Sequence, residues 1–300
     1  MTSVPKLLIN GAGGWLGTSS INYLLQSPRY KDYELVLLTS DGRNLIFNNK
    51  IFKTSRIIDF DVQSISDVIG IVNLAFLTKD KVNRMTLESY VSTNESLMAK
   101  LTEFMLNLKP KWITTVSSGA AAKFSSTLED DPYGFLKLQE ESLIAKLSSE
   151  LGSNYSIGRL WGAMGIDMPI NRNYAISDFI CQAIENSSIN IKASQSVYRQ
   201  YCDSRTFMET SIRAAECNFN DIFDSGGFIV EIGDLAEKVA TQMKIKDVKR
   251  NLVNPNKKDE YLPQISYYSE LQHSLVIEAE ANLENLIDST IFSHIAQRTR

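Results

Sequence analysis

Short apolar runs alternate with longer amphipathic stretches through the first 160 residues of the chain. Apolar runs bounded by turn residues predict buried strands, whereas apolar positions spaced three and four apart predict helices. The strands predicted in this way are at 6–10, 34–38, 57–62, 69–75, 112–116 and 156–160. The helices predicted between them are at 15–26, 82–108 and 133–151.

This alternation predicts an α/β fold. Strand–helix–strand units place parallel strands side by side and helices on both faces, which gives a doubly wound parallel sheet. Beyond residue 165 the pattern loosens, with helices expected at 176–185, 205–216, 234–244 and 278–297. We therefore expect a first domain at 1–165 and a smaller mixed domain at 166–300, some segments of which return to the first sheet.

A glycine-rich turn joins the first strand to the first helix, with the sequence Asn10-Gly11-Ala12-Gly13-Gly14-Trp15-Leu16-Gly17. Glycines at this place let the backbone approach a pyrophosphate, and the N–H groups at the helix N-terminus attract the anion. A phosphate loop of the Walker type is excluded, because it needs a lysine after the last glycine. The turn predicts a Rossmann-type dinucleotide site, although a turn that binds nothing is the alternative. The residues expected to bind are Gly11, Gly14, Trp15, Leu16 and Gly17.

Composition narrows the range of partners and compartments. Lys and Arg total 31 against 35 Asp and Glu, so the net charge of −4 gives no general positive field to hold nucleic acid. The apolar runs are shorter than the roughly 20 residues that cross a bilayer, and the N-terminal sequence does not resemble a signal peptide. Three cysteines without a CxxC pair and two distant histidines indicate neither disulfides nor a metal site. We expect a cytoplasmic protein without a membrane partner.

Tyr133 is the only one of the 12 tyrosines with a lysine, Lys137, four residues further on. The pair opens a helix after a strand that ends in Ser117 and Ser118, and residues four apart share one helix face. A nearby ammonium lowers the pKa of a phenol from its usual value near about 10, because it favours the phenolate. Tyr133 can then act as a general acid or base, with the hydroxyl of Ser117 or Ser118 at the same oxygen.

These segments together resemble the extended branch of the short-chain dehydrogenase/reductase family. The resemblance is carried by the GxxGxxG spacing, by Asn73-Leu74-Ala75, by Val116-Ser117-Ser118-Gly119-Ala120 and by Tyr133-Gly134-Phe135-Leu136-Lys137. It implies an NAD(P)-dependent enzyme. It also implies that Leu74 and Ala75 line the cofactor, that Lys137 holds the nicotinamide ribose, and that Ser118 is the catalytic serine.

Asn94 matches an asparagine that members of this family place near the proton path. The alternative is that Asn94 is a solvent-facing polar residue of the helix. The resemblance further implies a homodimer that pairs through the helices at 82–108 and 133–151. Their apolar positions serve equally well to cover the sheet.

The end of the second strand decides between NAD and NADP. Proteins that use NAD place an acidic residue there for the ribose 2′-hydroxyl, whereas those that use NADP place basic groups there. This chain has Thr39 at the acidic position, and Ser40 and Arg43 can bind a phosphate, which favours NADP(H). Asp41 argues for NAD if the strand runs two residues longer. The resemblance places Asp61 near the adenine.

Two later segments, Gly158-Arg159-Leu160-Trp161-Gly162-Ala163-Met164-Gly165 and Val197-Tyr198-Arg199-Gln200-Tyr201, resemble nucleotide-sugar enzymes of the same family. The resemblance implies that Arg199 faces a substrate diphosphate, for which the planar guanidinium is suited. A surface salt bridge is the alternative. Gly119 and Ala120 stand where dehydratases carry an acidic pair, so no side chain is available there for dehydration.

The expected function is therefore reduction of a C4 keto group on a nucleotide-activated sugar, with Tyr133 as the general acid or base. A nucleotide-sugar 4-epimerase with retained NAD is one alternative. A non-catalytic NAD(P)-binding sensor or scaffold on the same fold is another, since a fold does not determine chemistry.

Overall fold

The computed structural model describes residues 4–171, 173–264, 266–278 and 282–299. Its strands are β1 (Lys6–Asn10), β2 (Glu34–Thr39), β3 (Leu45–Phe47), β4 (Lys50–Phe52), β5 (Thr54–Arg56), β6 (Val68–Asn73), β7 (Trp112–Ser118), β8 (Asn154–Leu160), β9 (Ala163–Met164), β10 (Ser188–Ile191), β11 (Gln195–Asp203), β12 (Asp221–Asp224), β13 (Phe228–Glu231), β14 (Asp247–Arg250) and β15 (Asn254–Tyr261). Its α-helices are α1 (Trp15–Gln26), α2 (Leu87–Leu108), α3 (Gly119–Lys123), α4 (Pro132–Leu151), α5 (Ala175–Asn186), α6 (Ser204–Glu216), α7 (Ile232–Met243), α8 (Tyr268–Ser274) and α9 (Leu283–Arg298).

A parallel sheet of seven strands occupies the centre of the described part of the chain. The strand order is β12, β8, β7, β6, β1, β2 and β5, and each neighbouring pair is parallel. The order reverses at β1, since the chain passes to β2 on one side and later to β6 on the other. The carboxyl ends of the strands therefore open a crevice at this switch point. The prediction of a doubly wound parallel sheet is confirmed.

Both faces of the sheet are covered by helices because successive strand side chains point to opposite sides. Leu7 and Ile9 pack with apolar side chains of α1 and α6, whereas Leu8 packs with those of α2 and α4. All three leucine and isoleucine side chains are fully buried, and burial of each contributes about 1.5–3 kcal/mol. The sheet is thus the core on which the crevice is built.

The third predicted strand, at 57–62, is wrong in position. The strand of the structure is β5, and the residues after it turn away from the sheet. Phe60 is buried while Ile58 is 52% exposed, so the alternation of apolar and acidic residues does not reflect a pleated strand. The Asp61 carboxylate instead accepts a hydrogen bond from the backbone N–H of Gln63 and begins a 3₁₀ turn.

Helix ends follow local capping more closely than the apolar spacing predicts. The helix predicted at 82–108 begins at Leu87, where the Thr86 hydroxyl accepts from the backbone N–H of Ser89. The helix predicted at 133–151 begins one residue earlier and ends at Gly152, as expected. The last predicted helix, at 278–297, begins at Leu283, and residues 279–281 lie outside the described residues.

The second half of the chain builds a smaller lobe with its own core. In that lobe β11 pairs with β13 and β15, while α5, α7 and α9 bury apolar side chains against one another. The segments α6 and β12 return to the main sheet. The division at residue 165 stays a prediction. Within the described residues, none of the helices is both long and apolar enough to cross a bilayer.

His294 joins two helices of the smaller lobe from a fully buried position on α9. Its Nδ1 lies 3.0 Å from the carbonyl oxygen of Thr290, which can only accept, so Nδ1 carries the proton. Its Nε2 lies 2.7 Å from the Ser177 hydroxyl of α5 and accepts from it. Burial lowers the pKa of His294 below its ordinary value, and the nearby Arg298 lowers it further. The imidazole is therefore held neutral in the folded protein.

This burial predicts a loss of stability in acid. Because the folded-state pKa of His294 lies below that of the unfolded chain, the imidazole contributes stability above about pH 6.5 that is lost as the pH falls. We expect the free energy of unfolding in urea to fall between about pH 7.5 and about 5.5, and to fall less in His294→Gln. The exposed His273, changed to glutamine, is the matched control and should behave like the native protein. An unchanged pH dependence in His294→Gln would contradict the assignment.

Candidate functional site

The glycine turn lies at the carboxyl end of β1, beside the chain that leaves β6. Gly11 has a φ of +94°, and a Cβ there would lie 2.7 Å from the carbonyl carbon of Leu74. A Cβ on Gly17 would lie 2.6 Å from the carbonyl oxygen of Ala12, so α1 packs tightly on the turn only with glycine. Gly14 differs, since the nearest atom to its Cβ position is 3.5 Å away. The turn therefore has no room for a side chain at Gly11 and Gly17, whereas a Cβ at Gly14 would make only ordinary contact.

The N-terminus of α1 has the features of an anion site. Gly14 is its N-cap, so within the described residues no side chain caps the first N–H groups of the helix, those of Trp15 and Leu16. The indole Nε1 of Trp15 is buried without a hydrogen-bond partner among the described residues. Leu74 donates its N–H to the carbonyl of Asn10 at 2.7 Å, which holds Leu74 and Ala75 directly beside the turn. These residues fit the pyrophosphate of a dinucleotide.

The end of β2 lies next to the turn. Thr39 is buried, and its hydroxyl accepts from the N–H of Gly42 at 2.9 Å, so this side chain is used to fold the loop. Ser40 is exposed, and an Arg43 nitrogen would lie 3.9 Å from a Cβ placed on Gly13. Asp41 stands two residues beyond the end of β2 and lies 3.7 Å from Arg43. The Arg43 guanidinium therefore lies beside Gly13 of the glycine turn, and the Asp41 carboxylate lies beyond the end of β2.

A cleft of about 530 Å³ lies beyond the ends of β2 and β5. Its lining residues are Asp41, Gly42, Thr54, Ser55, Arg56, Asp59, Phe60, Asp61 and Ser64. The prediction that Asp61 lies near an adenine is compatible with this cleft, although the Asp61 carboxylate also caps the following turn.

Two tyrosines and one serine meet at the carboxyl end of β7. Ser118 is the last residue of β7, and its Oγ lies 3.3 Å from the phenol oxygen of Tyr261, which arrives on β15. Tyr133, in the first turn of α4, is a hydrogen-bonding neighbour of the same hydroxyl. The structure thus brings Ser118 and Tyr133 together, as predicted, and adds a phenol that the sequence analysis missed.

Both phenols are held in their protonated form. Burial raises the pKa of Tyr133 to about 12, a hydrogen bond with Ser118 opposes the rise, and the carboxylates of Glu140, Asp131 and Asp80 add to it. Burial likewise raises the pKa of Tyr261 to about 12. At neutral pH the centre therefore presents hydroxyl groups that can donate a proton.

Lys137 lies one turn along α4 from Tyr133, but its charge is already paired. The ammonium donates to the carbonyl of Val116 at 2.8 Å and to Glu140 Oε2 at 2.8 Å, and it lies 3.8 Å from the ring centroid of Phe76. The ammonium is thus paired with Glu140, and the predicted effect of Lys137 on the pKa of Tyr133 stays a prediction. Tyr133, Lys137 and Glu140 are spaced i, i+4 and i+7, so the helical period would have placed Glu140 on this face.

Asn94 is fully buried, so the solvent-facing alternative is excluded. Its side-chain oxygen accepts from the N–H of Leu77 at 2.8 Å, and its side-chain nitrogen donates to the carbonyl of Tyr90. Tyr90 in turn donates to the carbonyl of Leu77 at 2.7 Å. The Asn94 amide thus fixes the segment that follows β6 against α2, and its proposed place near the proton path stays a prediction.

A cavity of about 440 Å³ opens beside Tyr261. It is lined by residues of β11, α5 and the segment after β8, among them Trp161, Tyr174, Phe179, Arg199 and Gln200. The Arg199 guanidinium lies 2.9 and 3.2 Å from the two carboxylate oxygens of Asp259. Those hydrogen bonds lower the pKa of Asp259. Arg199 therefore lines a pocket, and it also forms the salt bridge that was the alternative interpretation of this residue.

Trp161 closes one wall of this cavity. Its ring centroid lies 4.8 Å from that of Tyr261, and its Nε1 donates to Asp224 at 2.5 Å. A Cβ on Gly119 would lie 2.5 Å from the Trp161 ring. Gly119 is therefore required by packing, and an acidic side chain has no room there.

The sequence profile described as the NAD dependent epimerase/dehydratase family matches residues 7–223, which include the glycine turn, Ser118, Tyr133 and Arg199. The chain belongs to the NAD dependent epimerase/dehydratase family. The resemblance to extended short-chain dehydrogenases/reductases is thereby confirmed. A search of curated proteins returned no match.

Solved structures of low sequence identity share the complete fold of this family member. The UDP-N-acetylglucosamine 4-epimerase from Methanobrevibacter ruminantium M1, in complex with UDP-N-acetylmuramic acid, is 18% identical with a TM-score of 0.78, over 99% of this chain and 100% of that one. The UDP-glucose 4-epimerase from Thermotoga maritima, with UDP-glucose, is 16% identical with a TM-score of 0.76, over 98% and 100%. The UDP-glucuronic acid 4-epimerase from Bacillus cereus, in complex with NAD, is 18% identical with a TM-score of 0.75, over 98% and 100%.

Proposed function

We propose that this member of the NAD dependent epimerase/dehydratase family reduces a C4 keto group on a nucleotide-activated sugar, with NADP(H) as its dinucleotide. The observation that carries the proposal is the meeting of Tyr133 and Ser118 at the carboxyl edge of the sheet, between the open glycine turn and the cavity that holds Arg199. A proton donor, an anion site and a pocket for a charged ligand thus adjoin one another.

The glycine turn and its neighbours would hold the dinucleotide. The uncapped N-terminus of α1 suits the pyrophosphate, Leu74 and Ala75 border the turn, and Ser40 and Arg43 lie towards the adenosine end. When bound, the reduced nicotinamide supplies the hydride. The Bacillus cereus relative, which was solved with NAD, supports a dinucleotide at this place.

Tyr133 would donate its phenolic proton to the substrate oxygen as the carbon that bears it is reduced, while Ser118 hydrogen-bonds the same oxygen. A pKa of about 12 keeps the Tyr133 phenol in the form that donates. Epimerisation must instead begin with removal of a hydroxyl proton, for which the phenolate is needed. Reduction would use the Tyr133 phenol as a proton donor, whereas the epimerase alternative would first use it as a proton acceptor.

A 4-epimerase with retained NAD is the second candidate, because relatives with the same fold are named as nucleotide-sugar 4-epimerases. A non-catalytic NAD(P)-binding sensor or scaffold is the third. Dehydration is not proposed, since packing of Gly119 against Trp161 leaves no room for an acidic side chain beside Ser118.

A nucleotide diphosphate is the substrate feature that Arg199 supports best. A guanidinium binds two oxygens at once, and Arg199 already binds the two oxygens of Asp259 in this way. A diphosphate bound to Arg199 would take the place of the Asp259 carboxylate and would carry more negative charge. The Methanobrevibacter and Thermotoga relatives, solved with UDP-linked ligands, support this assignment.

We also propose a cytoplasmic homodimer that pairs through α2 and α4. Leu106 on α2 and Leu138 on α4 support the pairing, since they are 48% and 36% exposed and apolar.

The proposed function predicts unequal roles for the two phenols. In an assay of NADPH oxidation with a UDP-4-keto-sugar, Tyr133→Phe should lower turnover about 100-fold or more, because the proton donor is lost. Tyr261→Phe, which removes the other hydroxyl at Ser118, should lower it by less than tenfold. The reverse order would assign the proton transfer to Tyr261.

The same preparation separates the three candidates. A reductase consumes NADPH in proportion to the keto sugar. An epimerase retains NAD through purification, as native mass spectrometry would show, and interconverts two sugars without net consumption. A protein that binds the dinucleotide and has no turnover before any substitution would favour the sensor or scaffold.

Arg43 is predicted to select the phosphorylated dinucleotide. Arg43→Ala should weaken NADPH binding about tenfold, and NADH binding by no more than about twofold, because only NADPH carries the 2′-phosphate. Arg29→Ala is the control, since Arg29 is similarly exposed but pairs with Glu216 and does not line the cleft. Equal losses for both dinucleotides would contradict the preference for NADP(H).

Arg199 and Asp259 are predicted to act on the substrate in opposite directions. By calorimetry with UDP as the probe, Arg199→Ala should weaken binding at least about tenfold, because the paired donors are lost. Asp259→Asn should strengthen UDP binding, because it removes the carboxylate that competes for the guanidinium. If UDP binds Arg199→Ala as well as the native protein, Arg199 is only the salt bridge of the alternative.

A further inference from the structure

The hairpin of β3 and β4 carries two exposed isoleucines on a folded support. We propose that the outer face of this hairpin, formed by Ile46 and Ile51 and flanked by Lys50 and Lys53, docks the protein onto a membrane surface that contains anionic lipid. The contact goes beyond the proposed reaction and does not depend on it, since none of these four residues lines the cleft or the cavity of the candidate site.

The inner face of the hairpin is fixed to the protein core. The two strands pair antiparallel, and successive side chains point to opposite faces. Phe47 is buried, and Leu45 and Phe52 pack against the same core cluster. The rings of Phe47 and Phe52 meet edge to face, with 5.8 Å between their centroids. Because this face is buried, the opposite face of the hairpin is held outward.

The outer face presents the two isoleucines side by side. Ile46 and Ile51 stand directly opposite each other in the register of the strands, and they are 70% and 69% exposed. Side chains opposite each other on one face of a strand pair interact, so the two form a single apolar patch. Asn48 and Asn49, with φ of +50° and +60°, form the tight turn that joins the strands. The patch therefore lies beside the tip of a narrow hairpin.

An apolar patch at a hairpin tip suits a bilayer better than a peptide. A peptide segment is recognised in a groove or along a sheet edge, whereas an apolar surface flanked by basic residues can enter the boundary between headgroups and acyl chains. Lys50 and Lys53 can keep their ammonium groups among the headgroups while their methylene stems follow the apolar surface.

The charge around the patch is positive, although the whole protein carries −4. Residues 42–58 contain four basic residues and no acidic residue. Arg43 and Arg56, towards the two ends of this segment, are each paired with an aspartate. Lys50 and Lys53 are exposed and form no salt bridge with any residue that the structure describes. Their charge is therefore available to a partner.

This charge decides which partner the patch favours. Two copies of the hairpin that met face to face would bring their unpaired ammonium groups together, which opposes self-association through this face. The cytoplasmic leaflet of a membrane has a negative surface potential, which attracts basic groups. Such a contact needs no segment that crosses the bilayer. The expectation of no membrane partner rests on the lack of crossing segments and does not extend to this surface.

Cosedimentation with lipid vesicles tests the proposal. The native protein should bind vesicles of phosphatidylcholine and phosphatidylserine in equal parts at least about tenfold more tightly than vesicles of phosphatidylcholine alone, because only the former attract the lysines. Ile46→Thr/Ile51→Thr should weaken binding to the mixed vesicles at least about tenfold, since threonine keeps the β-branched shape and removes apolar surface. Lys50→Gln/Lys53→Gln should weaken it by a similar factor of about ten. Native binding should also weaken as the salt concentration rises.

Exposed residues elsewhere provide matched controls. Ile229 and Ile295 are 59% and 47% exposed, and Lys31 and Lys111 are exposed just before the amino ends of β2 and β7. The same substitutions at these two pairs should leave vesicle binding within about twofold of the native value. Because all the replaced side chains are exposed, the circular dichroism spectrum of every variant should match that of the native protein.

Three outcomes would overturn the proposal. The first is a native protein that stays in the supernatant with the mixed vesicles. The second is an equal loss of binding in the control pairs, which would remove the assignment to the hairpin. The third is a change of mass by light scattering in Ile46→Thr/Ile51→Thr while the native protein ignores vesicles, which would make this face a contact between copies of the chain.

Discussion

A row of hydrogen-bonded side chains crosses the carboxyl edge of the sheet from Asn10 through Asn73 to Glu140. Asn10 ends the strand that leads into the glycine turn, Asn73 ends the next strand, and Glu140 holds Lys137 beneath Tyr133. All these polar groups are buried, so their geometry persists only while each finds its partner. The dinucleotide turn and the phenol centre are therefore two ends of one polar network. Without it, the parallel strands would still pack, but the turn and the helix that carries Tyr133 would lose their side-chain link.

The parts of the fold that depend on residues close together in the sequence could be predicted from it. The helix after the glycine turn has the predicted bounds, because its apolar spacing and the flanking glycines act within one element. The strand predicted at 57–62 fails for the same reason, since alternating apolar and acidic residues imitate a pleat where Asp61 makes a local turn instead. The smaller lobe depends on pairing between β11 and β15, which are far apart in sequence and shift register along their length. No local pattern encodes that pairing.

In the candidate site, too, the features that depend on nearby residues could be predicted, and those that depend on distant residues could not. Ser118 and Tyr133 could be placed together because a strand end and the start of the next helix lie at one edge of a parallel sheet. The state of the phenol could not be predicted from the spacing of Tyr133 and Lys137. A cation lowers the pKa of its neighbour less when its charge is paired, and the Lys137 ammonium is paired with Glu140. Glu140 was visible as the next residue of the helical face, yet its effect depends on Asn73, which reaches it from another strand.

Strand β15 contacts both the residue proposed to recognise the substrate and the centre proposed to transfer the proton. Asp259, on this strand, binds Arg199, and Tyr261, two residues later, lies 3.3 Å from the Ser118 hydroxyl. Tyr261 also packs on Trp161, which forms a wall of the cavity and excludes any side chain at Gly119. An anion that draws Arg199 away from Asp259 would therefore act on the strand that also positions the Tyr261 phenol at Ser118. The geometry that would recognise the diphosphate and the geometry that would deliver the proton share one element of the smaller lobe, so neither is complete until that strand has paired with β11.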